Sequence, residues 1–157
     1  GWHCWTLEDR PISQKKETPP QANFISRYRS QMIADKEDVL KAIDEKNTCI
    51  VSALGRRQHR GERNEYGRRG HIPGAMNVTA WEILDRQTNR YKPIEELKRL
   101  FKPMLDQDRV ITYCGGGVAA SSDAFILYLL GHKQVAVYDG GLMEWCANPE
   151  LPLEVDT

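Results

Sequence analysis

Apolar residues in this chain fall into short runs separated by charged or glycine-rich stretches, and the runs are of two kinds. The first kind is brief and rich in β-branched or aromatic residues: Cys49-Ile50-Val51 ending at Ser52-Ala53, Val110 to Tyr113, and Val135 to Tyr138, while the turn at His71 to Ala75 leads into a further short strand at Met76-Asn77-Val78. Such runs read as strands buried on both faces. Met32-Ile33 adds a short edge strand. The second kind is longer and periodic. Asp35 is a good N-cap, and Lys36 to Lys46 follows as a helix with Val39, Leu40 and Ile43 on one face. Trp81 to Leu84 predicts a helical turn. Pro93 suits the first turn of a helix with Ile94, Leu97, Leu100 and Phe101 inward. Val118 to Leu130 is long enough for about three helical turns, and Gly131 closes it. Asp139-Gly140-Gly141 turns into a last short helix through Trp145. Strands that alternate with helices predict an α/β fold, with a parallel sheet, helices on both faces and right-handed crossovers.

One junction in this pattern carries chemistry. Val110 to Tyr113 ends at Cys114, then Gly115-Gly116-Gly117, then Val118-Ala119-Ala120 at the start of the helix. Ligands in parallel sheets bind beyond the carboxyl ends of the strands, where Cys114 lies. Three glycines let the chain curl tightly and turn its amides inward. With the unpaired N–H groups of the helix's first turn, they form an anion-binding cup. A thiolate at the bottom of that cup is stabilised and nucleophilic at neutral pH. A buried cysteine acting only as a small hydrophobe does not need three glycines after it.

Composition narrows the field. The chain has 157 residues, 40% hydrophobic and 28% charged, which suits one globular domain with a full core. Formal net charge is zero, which argues against general nucleic-acid binding, and no apolar run is long enough to span a membrane. Gly55 to Gly70 is nonetheless basic, with Arg56, Arg57, Arg60, Arg63, Arg68 and Arg69 against Glu62 and Glu65. The four cysteines (Cys4, Cys49, Cys114 and Cys146) form no CxxC pair. Neither a zinc knuckle nor a thioredoxin-type site is supported, and no metal or cofactor is expected. Reduced thiols in a cytoplasmic protein are the expectation.

Residues 1–30 read as irregular, with Pro11, Pro19 and Pro20 among polar residues. Trp2 and Trp5 are odd for a free tail. Gly1 and Trp5 recur 140 residues later as Gly141 and Trp145, and Pro11-Ile12 recurs at an offset of 141 as Pro152-Leu153. The repetition marks residues 1–30 as a linker and the tail of a preceding, similar domain, with residues 31–157 as the catalytic domain.

Gly70-His71-Ile72-Pro73-Gly74-Ala75, the cysteine loop, and Tyr138-Asp139-Gly140-Gly141 through Trp145 together resemble a rhodanese domain. The likeness covers about Met32 to Val155, and three separated motifs in the right order make it specific. It implies a five-stranded parallel sheet. It also implies sulfane-sulfur transfer, in which Cys114 takes sulfur from a small anionic donor, becomes a persulfide, and yields it to cyanide or a thiol. Tandem members of the family carry the active cysteine in the second domain, joined by a segment like that at residues 1–20. The amides of Gly115, Gly116, Gly117, Val118, Ala119 and Ala120 would hold the thiolate and the persulfide. The neutral loop is similar to that of members using mercaptopyruvate rather than thiosulfate. Arg60-Gly61 matches the position where an arginine grips the donor carboxylate, and Arg69 is a second candidate.

Two departures stand out. The family's strand-end Asp-Ala-Arg is Ser52-Ala53-Leu54 here, leaving Arg56 or Arg57 as substitutes for the missing guanidinium. A serine that follows the cysteine by two places is Gly116, so a hydroxyl proposed to protonate the leaving enolate is absent. His71, before Ile72-Pro73-Gly74, is expected to shape a turn through backbone hydrogen bonds rather than act as a base. Asp139 reads as a turn-former. His3, His59 and His132 are expected on the surface. A Cys-dependent phosphatase would need an arginine six residues after the cysteine, where Ala120 stands. A non-catalytic docking module is the other alternative, against which the retained cysteine argues.

Overall fold

A computed structural model describes residues 1–156 of the chain. Its elements in chain order are α1 (Trp2–Leu7), β1 (Ile33–Ala34), α2 (Lys36–Ala42), β2 (Thr48–Ser52), α3 (Arg56–His59), β3 (Met76–Asn77), α4 (Ile94–Leu100), α5 (Lys102–Leu105), β4 (Arg109–Tyr113), α6 (Val118–Leu129), β5 (Val135–Tyr138) and α7 (Gly141–Ala147), with a 3₁₀ turn at Ser30–Met32. The five strands form one sheet in the order β1-β5-β4-β2-β3, and every pairing is parallel. The central pair runs from Thr48 beside Arg109 to Ser52 beside Tyr113, so β2 and β4 end level.

Alternate strand residues feed two apolar layers, as the period of a strand requires. Ile50, Ile111, Tyr113, Ala136 and Tyr138 pack with Val39 and Ala42 of α2 and with Leu142 and Trp145 of α7. Val51, Val110 and Val135 pack with Leu97, Phe101 and Met104 of α4 and α5 and with Ile126 and Leu127 of α6. Helices thus cover both faces of a five-stranded parallel sheet.

Several boundaries differ from the sequence expectation, each for a local reason. Helix α2 stops at Ala42 rather than Lys46, because Asp44 and Glu45 turn back onto the carbonyls of Lys41 and Ala42. Its phase is set by a capping box in which the Asp38 N–H donates to Asp35 Oδ1 at 2.8 Å. That phase buries Val39 and Ala42 and leaves Leu40 exposed. Pro93 is the N-cap of α4, one position outside the helix, and Ile94 is half exposed. The edge strand is Ile33–Ala34, one residue later than expected, because Ser30–Met32 closes a 3₁₀ turn first. The N-terminal stretch is not wholly irregular. Trp2–Leu7 is helical, while residues 10–29 carry no helix or strand. Among the described residues, no helix is long and apolar enough to cross a membrane.

Candidate active site

Cys114 follows the last residue of β4, and three bonds hold that strand end. The Ala53 N–H donates to the Tyr113 carbonyl at 2.8 Å. The Thr112 hydroxyl donates to the Ala120 carbonyl at 3.0 Å, tying the strand to the first turn of α6. The Ile72 N–H donates to the Tyr113 hydroxyl at 3.1 Å, which brings the His71-Ile72-Pro73-Gly74 turn alongside. Burial pushes the Tyr113 phenol up to about 12, so it stays a neutral acceptor there. Cys114 itself is 4% exposed, held inside the loop rather than on it.

Helix α7 fixes the loop from one side. The Leu142 N–H donates to the Cys114 carbonyl at 2.8 Å, and the Met143 N–H to the Gly115 carbonyl at 3.0 Å. Both peptides are trans, so their own N–H groups, on Gly115 and Gly116, point away from α7. Gly141 makes this approach possible: its φ is +55°, and a Cβ there would lie 2.5 Å from the Cys114 carbonyl oxygen. Gly117 then turns the chain at φ +76° into α6. The amides of Gly115, Gly116, Gly117, Ala119 and Ala120 find no acceptor among the described residues. Val118 departs from the expected set. Its N–H donates to the Gly116 carbonyl at 3.0 Å, and its side chain is 84% exposed. Five free amides therefore follow the cysteine, where six were expected.

Sequence reasoning missed Tyr66. A Cβ on Gly115 would stand 2.3 Å from the Tyr66 hydroxyl oxygen, so the phenol lies directly on the cysteine loop. Burial raises the titration of Tyr66, and Glu65 and Cys114 raise it further. The loop position of Tyr66, among charged residues, hid it. An aromatic residue beside a glycine in an otherwise basic loop was the one available signal.

The basic stretch is partly helical, with α3 inside it. Most of its arginines are engaged. Arg56 pairs with Glu82, Arg57 with Glu62 at 2.9 Å, and Arg63 with Glu65 at 3.0 Å. Arg68 donates to the Asn148 carbonyl at 3.1 Å. Arg60 is exposed and lies 4.0 Å from Asp156. Arg69 is exposed and makes no hydrogen bond or ion pair among the described residues.

The histidines divide differently from expectation. His71 shapes its turn as expected: Nδ1 sits 2.8 Å from the His59 carbonyl, and its backbone pairs with that of Glu154. His59 is buried rather than on the surface, because its ring stacks on His71 with centroids 3.8 Å apart. Burial, then the neighbouring His71, lowers it to about 4. His132 is half-buried, with Nε2 2.8 Å from the Gln107 carbonyl; His3 is exposed as expected. His59, His71 and Asp156 gather ligand atoms within 4.8 Å of one another. The two rings lie within 14° of parallel, so their in-plane lone pairs run side by side instead of converging on an ion.

A groove of about 670 Å³ lies elsewhere, between Phe24 and Tyr28 of the N-terminal segment and Phe125 and Tyr128 of α6. It is largely apolar, and no cysteine or histidine lines it.

Comparison with known proteins agrees with the geometry. The 3-mercaptopyruvate sulfurtransferase of Mus musculus is 32% identical over 157 residues, covering 96% of this chain and 52% of that protein. A thiosulfate sulfurtransferase of Gallus gallus is 29% identical over 148 residues, covering 92% of this chain and 51% of that protein. The chain spans about half the length of the curated relatives it matches. A solved structure of EanB complexed with hercynine shares the fold, with a TM-score of 0.86 at 24% identity over 100% of this chain and 40% of that one. A model described as the rhodanese-like domain matches residues 35–148. That match runs from the cap of α2 to the end of α7, through the cysteine loop and the turns on either side of it, and the chain belongs to the rhodanese-like domain family.

Proposed function

We propose that this chain is the catalytic domain of a sulfurtransferase that moves a sulfane sulfur from 3-mercaptopyruvate or thiosulfate to a thiol or cyanide. Cys114 is the nucleophile. Its thiolate attacks the outer sulfur of the donor, the new S–S bond forms, and the donor's bond to that sulfur breaks with its electron pair. An acceptor thiolate or cyanide then attacks the outer sulfur of the Cys114 persulfide and returns the thiolate. The observation that carries this reading is the run of amides with no acceptor directly after Cys114. Oriented N–H dipoles favour negative charge on sulfur before and after transfer, and they need no rearrangement between the two. Arg60, with Arg69 second, is the proposed clamp for the donor's carboxylate or sulfonate oxygens. Relatives named for each of the two donors match this chain. All four cysteines are free, which fits the reducing cytoplasm.

A preceding domain of the same fold accounts for α1. Trp5 Nε1 donates to the Pro11 carbonyl at 3.0 Å, and Trp145 Nε1 donates to the Pro152 carbonyl at 2.8 Å. Each tryptophan sits in a short helix that ends before its proline. Trp145 is fully buried against the sheet, while Trp5 is 40% exposed.

The test is an intact mass after incubation with each donor. The native chain is expected to gain the mass of one sulfur atom, and Cys114→Ser to gain none. No gain with either donor would refute the reading.

A further inference from the structure

Cleavage of 3-mercaptopyruvate leaves a problem that cleavage of thiosulfate does not. When the C–S bond breaks, the electron pair passes to the methylene carbon, and the leaving group is the enolate of pyruvate. It must gain a proton. Sulfite, the leaving group from thiosulfate, is stable as it departs. Gly115, Gly116, Gly117, Val118, Ala119 and Ala120 have no side-chain proton to give. Ser121, next along, donates its hydroxyl to the Val118 carbonyl at 2.7 Å, and Ser122 is bonded to the Tyr91 hydroxyl at 2.8 Å. The His59 and His71 rings stack on each other, and the His71 backbone pairs with that of Glu154.

Tyr66 is placed differently. Its hydroxyl oxygen, Cε1 and Cζ all lie within 2.3 to 2.6 Å of where a Gly115 Cβ would be. The ring is therefore laid across the residue after the nucleophile. The Tyr66 hydroxyl makes no hydrogen bond among the described residues, so its O–H is uncommitted, and charge on Glu65 and Cys114 raises its titration beyond the effect of burial. The residue is half-buried, so a ligand reaches it from solvent. Only glycine at position 115 permits this approach.

We propose that Tyr66 is the general acid for 3-mercaptopyruvate, donating its phenolic proton to the pyruvate enolate as the enolate leaves. The assignment rests on the sulfurtransferase reading above. Cys114 thiolate attacks the thiol sulfur of the donor, and the Cys114 S–S bond forms. The donor's C–S bond breaks, and its electron pair goes to the methylene carbon. The Tyr66 O–H bond breaks and that carbon takes the proton, giving pyruvate and a tyrosinate. Water returns the proton before the next cycle. The enolate carbon is a far stronger base than a phenolate, so transfer runs downhill even from a phenol held above its ordinary range.

Tyr66→Phe keeps the ring on Gly115 and removes only the proton. Turnover is measured with each donor in turn and cyanide as acceptor, beside the unfolding midpoint of both proteins. With mercaptopyruvate, kcat is expected to fall about a hundredfold, the usual worth of a positioned general acid. With thiosulfate, kcat is expected to stay within about twofold, because no proton is needed there. Equal loss with both donors would mean that Tyr66 only shapes the loop, and no loss with mercaptopyruvate would mean that water supplies the proton. Either result overturns the assignment, as would native protein that accepts thiosulfate but not mercaptopyruvate. Native protein inactive with both donors would instead remove the reading on which the assignment rests.

Discussion

Asp123 places a carboxyl group in the apolar layer that α6 shares with α4 and α5. It lies on the same face of α6 as Ile126 and Leu127, is 0% exposed, and neither oxygen has a hydrogen-bond partner. A carboxylate so placed would lack both water and a counterion. Burial therefore pushes Asp123 up from the ordinary 3.8 to about 8, and the nearby Glu82 carboxylate pushes the same way. The folded protein carries this carboxyl protonated at neutral pH, whereas the unfolded chain ionises it. The unfolded state then binds fewer protons, so stability falls as pH rises from the unfolded value toward the folded one. His59 works in the opposite sense. Lowered to about 4, it makes stability rise with pH, most steeply below the ordinary histidine value of 6.5 and levelling off about one pH unit above it.

Between about pH 6.5 and about pH 7.5 Asp123 is the larger of the two, and the remaining rise from His59 is common to native protein and an Asp123 variant. One pKa unit corresponds to about 1.4 kcal/mol, and the slope tapers as the folded group begins to ionise, so about 1 kcal/mol is lost across that range. Asp123→Asn is nearly isosteric and does not titrate. Urea unfolding at constant ionic strength, at three pH values in this range, gives the two slopes. Native protein is expected to lose about 1 kcal/mol, with Asp123→Asn flat by comparison. Parallel slopes would show that Asp123 is already ionised in the folded state and would refute the argument. The slope carries the test, because the asparagine amide has a burial cost of its own at every pH.

Gly115→Ala should cost about 1 to 3 kcal/mol, since the new methyl meets the Tyr66 phenol. Adding Tyr66→Ala to the same chain should recover part of that loss, and denaturant unfolding of the two single variants and the double variant would show it; strict additivity would mean that the contact is not the cause. Arg60→Ala should raise KM for mercaptopyruvate several-fold with kcat little changed, while Arg63→Ala, whose guanidinium is paired with Glu65, should move neither. Equal effects in steady-state kinetics would dismiss the clamp.

The middle of the sheet was legible because β2, β4 and β5 are short, largely buried runs rich in β-branched residues, whereas the two-residue edge strands β1 and β3 have no such texture. The cysteine loop was legible for a related reason: glycines in sequence mark backbone that must come close to something. Helix ends were less so. The phase of α2 depends on the Asp35–Asp38 box, which decides between Leu40 and Ala42 as the buried residue. Helices α3 and α5 were hidden, one by arginines and one by Pro103. His59 was misplaced because its burial comes from one partner, His71, across a loop whose path the sequence does not draw. Tyr66 was missed for the same reason. Local pattern reports what a residue's neighbours along the chain demand, whereas Tyr66 and His59 answer to residues 49 and 12 positions away in space-filling contact.

The arginine-rich stretch invites the view that charge attracts the anion, but the pairings argue otherwise. Arg56, Arg57 and Arg63 each carry a glutamate partner, and Arg60 sits near Asp156. Exposed pairs of this kind contribute little to stability, yet each cancels most of the field its arginine would cast at the loop. What remains at Cys114 is backbone. Helix α7 engages the carbonyls of Cys114 and Gly115, the oxygen ends of two peptides, and thereby presents their nitrogen ends to the other side. A site built this way owes its polarity to peptide orientation, so salt should weaken donor binding less than loss of Gly141 would. Gly141 is where the two helices divide the work: α6 leaves its first amides free, and α7 can reach the carbonyls only because no Cβ stands between them. Under the proposed function, a neutral loop then suffices for an anionic donor, with Arg69, unpaired among the described residues, and the loosely paired Arg60 left to choose among anions rather than to hold them.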